Sequence, residues 1–276
     1  MRCHMCWFVL TLLVTGSSAR AAEPLVAYDN FNPRNSNPPR TYLVRGIDPV
    51  RWRPVQSGER LDSTRQLAST RLHVMQRASA GRGTYGYSFT NAPLVTAISA
   101  TVNVTRVSAR SCTGDVSSPV AEAGALLTGH FFSAATATAG SALDDVVATV
   151  QATRQSGSGD PTGTLRVRGV VQRCLDSECT TRQDLGSLEL GTVLEGSGVN
   201  LRVQWDAANH RFIFQREMEQ EVYVSYTVPD VQAPGRQDKA VLVSHTIPAC
   251  DNPAHKPLGY VNAYFTQVMV NASAAP

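Results

Sequence analysis

Ile98-Ser99-Ala100-Thr101-Val102-Asn103-Val104 decides the fold. Ile98, Ala100, Val102 and Val104 fall on one face of an extended chain, and Ser99, Thr101 and Asn103 fall on the other. This period of two is the mark of a half-buried strand. The alternation recurs in Leu201, Val203 and Trp205 against Arg202, Gln204 and Asp206, and in Val222, Val224, Tyr226 and Val228 against Tyr223, Ser225 and Thr227. Further strands are expected through Leu72 to Met75, Tyr85 to Phe89, Leu126 to Ser133, Val146 to Thr153, Leu165 to Gln172, Phe212 to Gln215, Val241 to Ser244 and Tyr260 to Val270. No window of helical length sustains a 3.6-residue period. Short strands punctuated by Gly, Pro, Asp and Ser predict an all-β fold, an antiparallel β-sandwich or jelly roll.

Outward from those strands, Asp206-Ala207-Ala208-Asn209 reads as a tight hairpin connection, since Asp and Asn tolerate left-handed backbone. Gly157-Ser158-Gly159-Asp160-Pro161-Thr162-Gly163 reads as a loop within the domain. Residues 22–60 carry Pro33, Pro38, Pro39, Pro49 and Pro54 and are expected to form an irregular N-terminal arm packed across a sandwich of residues 61–276.

Residues 1–21 read as a secretory signal: Arg2, an apolar run from Trp7 to Val14, then Ala19-Arg20-Ala21, with cleavage before Ala22. The run of about eight residues is far short of the ~20 that span a bilayer, and no later segment approaches that length. A secreted or periplasmic protein without a membrane span is expected. Cys3 and Cys6 leave with the signal and lack lipoprotein-type residues ahead of them, so no lipid anchor is expected. The whole chain has 25 basic and 22 acidic residues. Removing Arg2 and Arg20 leaves 23 against 22, a charge of about +1 that does not favour nucleic acid as a partner.

Four cysteines remain: Cys112, Cys174, Cys179 and Cys250. In an exported chain they point to disulfides, with three connectivities open. Cys174 and Cys179 bracket the polar turn Leu175-Asp176-Ser177-Glu178, where a local bridge would pin a hairpin tip. Cys112 would then join Cys250, closing a loop worth nearly ~5 kcal/mol in the chain-entropy model. If the strand at 98–107 pairs antiparallel with that at 260–270, Cys112 and Cys250 fall at the same edge. A four-thiolate zinc site would want two close pairs, and only one is present.

Several patterns in this order resemble the concanavalin A-like superfamily of laminin G-like modules, legume-type lectins and retaining β-glucanases. Asp29-Asn30-Phe31, Ile47-Asp48 and Trp52 are similar to the opening of those domains. Gly129-His130-Phe131-Phe132 resembles a shared sheet strand. Asp144-Asp145-Val146-Val147-Ala148 resembles the strand that carries the glucanase carboxylates. Leu201-Arg202-Val203-Gln204-Trp205-Asp206 through Phe212-Ile213-Phe214 resembles the laminin G-like hairpin. The resemblance covers most of residues 27–270 and implies a concanavalin A-like sandwich.

The family's catalytic residues do not carry over. Retaining glucanases set E-x-D-x-E on one strand, because alternation places nucleophile and acid on one face about 5 Å apart. Here only Asp145 is a carboxylate, and Val147 and Thr149 stand where its partners would be. Glu217-Met218-Glu219-Gln220-Glu221 has suitable spacing but reads as a solvated strand end or loop, with a catalytic cluster as the alternative. The histidines His73, His130, His210, His245 and His255 are scattered, with no metal-binding pair. No G-x-S-x-G motif supports a serine hydrolase. Trp52 and Trp205 read as packing residues. Asn103-Val104-Thr105 and Asn271-Ala272-Ser273 fit glycosylation sequons, which matter only in a eukaryotic host.

If the strands near 130, 148 and 168 line one concave sheet, alternation sets Thr128, His130 and Phe132, then Asp145, Thr149 and Gln151, then Arg166 and Arg168 on a common side. Such polar and aromatic groups suit the hydroxyls and CH faces of a polysaccharide or cell-surface glycan. No cofactor is expected; loop Asp and Asn residues leave calcium open, with no spaced ligand motif. The expectation is a secreted, non-catalytic carbohydrate- or surface-polymer-binding protein. The alternatives are a structural or adhesive exported protein without a sugar ligand and, third, a retaining glycoside hydrolase.

Overall fold

The computed structural model describes residues 23–32, 47–112, 119–251 and 256–276. The expected signal segment, residues 1–21, lies outside them. Among the described residues two antiparallel sheets pack face to face. The first runs, in hydrogen-bonded order, β13 (Val222–Ser225), β12 (Arg211–Arg216), β11 (Gly198–Asp206), β6 (Ala97–Arg110), β15 (Leu258–Asn271), β4 (Arg71–Ala78) and β3 (Asp62–Ala68), with β1 (Leu25–Asp29) also paired to β15. The second runs β10 (Arg182–Leu194), β9 (Thr164–Cys174), β8 (Asp145–Gln155), β7 (Glu122–Ser133), β14 (Lys239–Ile247), β5 (Gly81–Phe89) and β2 (Trp52–Ser57). The chain is thus an all-β sandwich consistent with a jelly-roll, concanavalin A-like fold. Among the described residues no helix is long and apolar enough to cross a membrane.

Alternation builds the core. Ile98, Ala100, Val102 and Val104 of β6 meet Leu127 of β7, Ala148 and Val150 of β8, and Leu165 and Val167 of β9 between the sheets. Each fully buried aliphatic side chain of Val or Leu size contributes about 1.5–3 kcal/mol relative to exposure. Phe212 and Phe214 of β12 fill the space beside them. Gly169 of β9 faces Phe214 so closely that an added Cβ would lie 2.5 Å from the ring.

The opening Asp-Asn-Phe stretch and Trp52 prove to be one packed unit. Asp29 accepts a hydrogen bond from Trp52 Nε1 at 2.9 Å and from the Phe31 backbone N–H at 2.7 Å. Trp52 stacks on Phe31 and packs against Phe89 and Tyr28. Within the segment expected to be an irregular arm, the structure draws two stretches into the sheets: β1 pairs with β15, and β2 pairs with β5. Pro54 is tolerated in β2 because that strand is an edge, where a missing N–H removes no ladder bond.

β6 and β15 pair antiparallel from Leu258↔Arg110 to Val270↔Ile98. Just past the end of β6, Cys112 is bridged to Cys250, which follows β14. Cys174 is bridged to Cys179 at the tip between β9 and β10, and this disulfide packs against Ala142 and Val147.

Candidate functional site

The face of the second sheet turned away from the core carries a groove of about 530 Å³. Ala123, Ala125 and Leu127 of β7 point inward, so Glu122, Leu126 and Thr128 point out. By the same rule β8 offers Thr149 and Gln151, β9 offers Val170 and Gln172, and β14 offers Leu242, Ser244 and Thr246. Leu126, Ala240 and Leu242 form a small apolar cluster under this face.

Over that floor the polar side chains are tied to one another. Thr128 and Thr149, cross-strand partners, share a hydroxyl hydrogen bond of 2.7 Å. The amides of Gln151 and Gln155 donate to the two oxygens of Glu122 at 3.2 and 2.6 Å. Gln172 donates to Asp184 at 2.6 Å and accepts from Arg182 at 3.2 Å. Burial, together with the nearby Arg82 charge, draws the Arg182 pKa below the ordinary arginine value. These bonds fix the side chains in place across the face.

Of the residues expected on this face, Thr128, Thr149 and Gln151 line the groove. Phe132 does not share it. A register shift between His130 and Phe132 turns the Phe132 ring inward, fully buried against Trp205, Phe212 and Tyr226. Such a bulge breaks strict alternation and cannot be read from period alone. Arg166 is held bidentately by Asp160, and Arg168 pairs with Glu189 at 2.6 Å; neither lines the groove.

His130 and Asp145 form a separate pair. His130 Nδ1 lies 3.0 Å from Asp145 Oδ2, and the fully buried carboxylate also accepts from the backbone N–H groups of Gly235 and Arg236 at 2.8 and 2.9 Å. Burial lowers the His130 pKa, and the bond to Asp145 opposes that shift. Asp145 therefore fastens the 235–236 loop to β7 and β8. Val147 packs on the Cys174 and Cys179 bridge.

The run Glu217 to Glu221 is exposed between β12 and β13. Its carboxylates face three different partners: Glu217 accepts from the Asn200 backbone, Glu219 pairs with Arg216, and Glu221 pairs with Arg202. Among the described residues no group of three or more His, Cys, Asp or Glu side chains gathers as a metal cage.

Beyond the residues expected from alternation, Glu122, Leu126, Gln172, Arg182, Asp184, Ser244 and Thr246 also line the groove. Strand β10 gave no signal because it is an edge strand, exposed along most of both faces. The Ser244 and Thr246 positions alternate with Val241 and Val243, so their outward direction was legible; the neighbour of β14 was not.

No family model and no curated protein sequence matches this chain. Among solved structures, it is similar to a mixed-linkage glucan family 16 glycoside hydrolase of Bacteroides ovatus, at 9% identity over 81% of this chain and 95% of that one, TM-score 0.42. A β-1,3-glucanase from Mycobacterium marinum aligns at 10% identity over 91% and 99%, TM-score 0.39. Lectin II from Ulex europaeus aligns at 12% identity over 89% and 99%, TM-score 0.34. Likeness at this level transfers no residue role and no activity.

Proposed function

We propose that this is an exported carbohydrate-binding protein that holds a polysaccharide chain in the groove of the second sheet without cleaving it. The observation that carries the reading is the lining itself: a hydrogen-bonded threonine pair and glutamines tied to Glu122 and Asp184, with Ser244 and Thr246 beside them, over a floor of Leu126, Leu242 and Val170. A sugar presents the complementary pattern, hydroxyls at its rim and CH groups on its faces. Among the described residues two carboxylates line the groove, Glu122 and Asp184, on different strands and each bonded by glutamine amides. Hydrolysis with retention wants a pair about 5 Å apart, and β8 offers Val147 and Thr149 in those places. Export is supported by the residue pattern from Arg2 to Ala21 and by the two disulfides.

A glycan array on the mature protein tests this reading. Binding to a polysaccharide is expected, with roughly tenfold loss in Thr149→Val/Gln151→Leu and an unchanged melting temperature. An array without any bound glycan would overturn the reading in favour of a structural or adhesive role. Release of reducing sugar from laminarin or agar would overturn its non-catalytic part.

A further inference from the structure

On the sheet opposite the groove, three cations line one depression in which, among the described residues, no carboxylate takes part. Arg77 near the end of β4, Arg110 at the end of β6 and Lys256 just ahead of β15 border a hollow of about 350 Å³, with Leu61 and Leu258 supplying apolar wall. The β15 register gathers them, since Leu258 pairs with Arg110 and Tyr260 with Arg77. All three are exposed, and among the described residues none has an ion-pair partner. Asp62 stands opposite Arg77 across the β3 and β4 ladder and outside the hollow. Like charges bordering one cavity raise its potential and draw an anion.

The hollow opens beside a row of rings. Tyr260, Asn262 and Tyr264 of β15 share the outer face, because Val261, Ala263 and Phe265 point into the core. Four residues of strand set the two tyrosines about 13 Å apart. The Arg106 guanidinium lies 6.0 Å from the Tyr260 ring centre; Tyr264 carries Arg71 at 4.4 Å and stacks on His73 at 4.8 Å. Arg71 and Arg106, like the three cations of the hollow, lack a carboxylate partner among the described residues.

We propose that this face binds an acidic polysaccharide, with a carboxylate or sulfate group seated among Arg77, Arg110 and Lys256 and a sugar ring over Tyr260. Guanidinium groups match oxyanions bidentately, and tyrosine rings accept the CH face of a sugar. The pattern fits a polymer whose charges are spaced by rings. A nucleic acid would call for a longer unbroken cationic track, and the whole chain carries only +3. The site lies on the other sheet from the groove, so the two readings stand independently.

Affinity electrophoresis of the mature protein through gels containing alginate or carrageenan, against laminarin as neutral control, tests the proposal, with single-stranded DNA and inorganic sulfate as competitors. Retardation by an acidic polymer is expected, weakened roughly tenfold in Arg77→Gln and in Arg110→Gln and reduced in Tyr260→Leu. Arg53→Gln, the same change of charge on the β2 edge, should leave it intact, as should Thr149→Val/Gln151→Leu. The proposal is overturned by no retardation at low salt, or by equal loss in Arg53→Gln. Competition by DNA or sulfate as strong as by the soluble polymer would overturn it too, marking general anion exchange.

Discussion

Arg82 of β5 donates Nη1 to the backbone carbonyl of Thr180, just ahead of β10, at 2.9 Å, although four strands lie between β5 and β10 in the sheet. Laid flat, five interstrand spacings would hold those margins about 24 Å apart. Twist and curl bring the two corners together over the groove that both residues line. The Thr180 side is itself rigid: the Asp176 carboxylate accepts from the backbone of Glu178, Thr180 and Thr181 and from the Thr180 hydroxyl. Those bonds hold the Asp176 carboxyl well below the usual carboxylate range.

Arg82→Ala should therefore loosen the groove without unfolding the sandwich. One exposed hydrogen bond contributes about 0.5–1.5 kcal/mol, so the melting temperature should move by only a few degrees. Amide hydrogen exchange across residues 175–184 should speed up, and a bound glycan should dissociate faster. Unaltered exchange in that segment would show that the contact does not hold the margins together.

Acid sensitivity should come first from histidine. His245 is 3% exposed, faces inward, and has no hydrogen-bond partner on either ring nitrogen. Burial lowers its pKa, as it does for His130. The unfolded chain then takes up protons that the folded one refuses. Stability is full above about pH 6.5 and is lost as pH falls through the lowered native values. Asp160 and Asp206 have depressed carboxyl pKa values and act in a separate, more acidic window below 3.8. His245→Leu should raise stability, since it removes an unsatisfied buried ring, and should shrink the loss between pH 7.5 and 5 in urea titrations. Identical losses in the variant and the parent would refute this.

The sandwich is legible from Ile98 to Val104 outward because central strands alternate cleanly: one face is covered by the partner sheet and the other is not. Where that condition fails, the pattern is lost. Strands β2, β3 and β10 are edges, with polar residues on both faces, and gave no period to follow. Phe132 was set on the wrong face by one bulge. Thr128, Thr149 and Gln151 were legible because they sit mid-strand in register. Arg82 and Thr180 were not, since their meeting depends on how the whole sheet curls, a property of long-range pairing with no local signature.

Lys239 offers a stabilising substitution. It lies inside the sandwich at 2% exposure, with Nζ bonded to the Ala92 carbonyl at 3.0 Å and 5.1 Å from the Phe131 ring centre. Burial lowers its pKa from 10.5 to about 8. That shift corresponds to about 3 kcal/mol against the charged form in the folded state. The cost is full below pH 8 and is relieved as pH rises toward 10.5, where the unfolded lysine also loses its proton. Lys239→Met keeps the length and drops the charge, so it should stabilise the protein at pH 7 by up to that amount. The difference from the parent should narrow at pH 10. A variant less stable than the parent at pH 7 would mean that the Ala92 bond and the Phe131 contact outweigh desolvation.

Gly169 and Phe214 should behave as a coupled pair. An alanine Cβ at 169 would fall 2.5 Å from Phe214 Cγ and 2.7 and 2.8 Å from the two ring carbons beside it. A buried ring wedged among core neighbours has nowhere to retreat, so Gly169→Ala should cost about 1–3 kcal/mol through overpacking. Phe214→Leu alone should cost a comparable amount by leaving a cavity. Combined, the smaller Leu makes room for the new methyl, and the double variant should be more stable than the sum of the two single losses predicts. Urea unfolding of the three variants and the parent gives the coupling energy directly. Strict additivity would show that the sheets move apart at this point instead of the ring meeting the methyl.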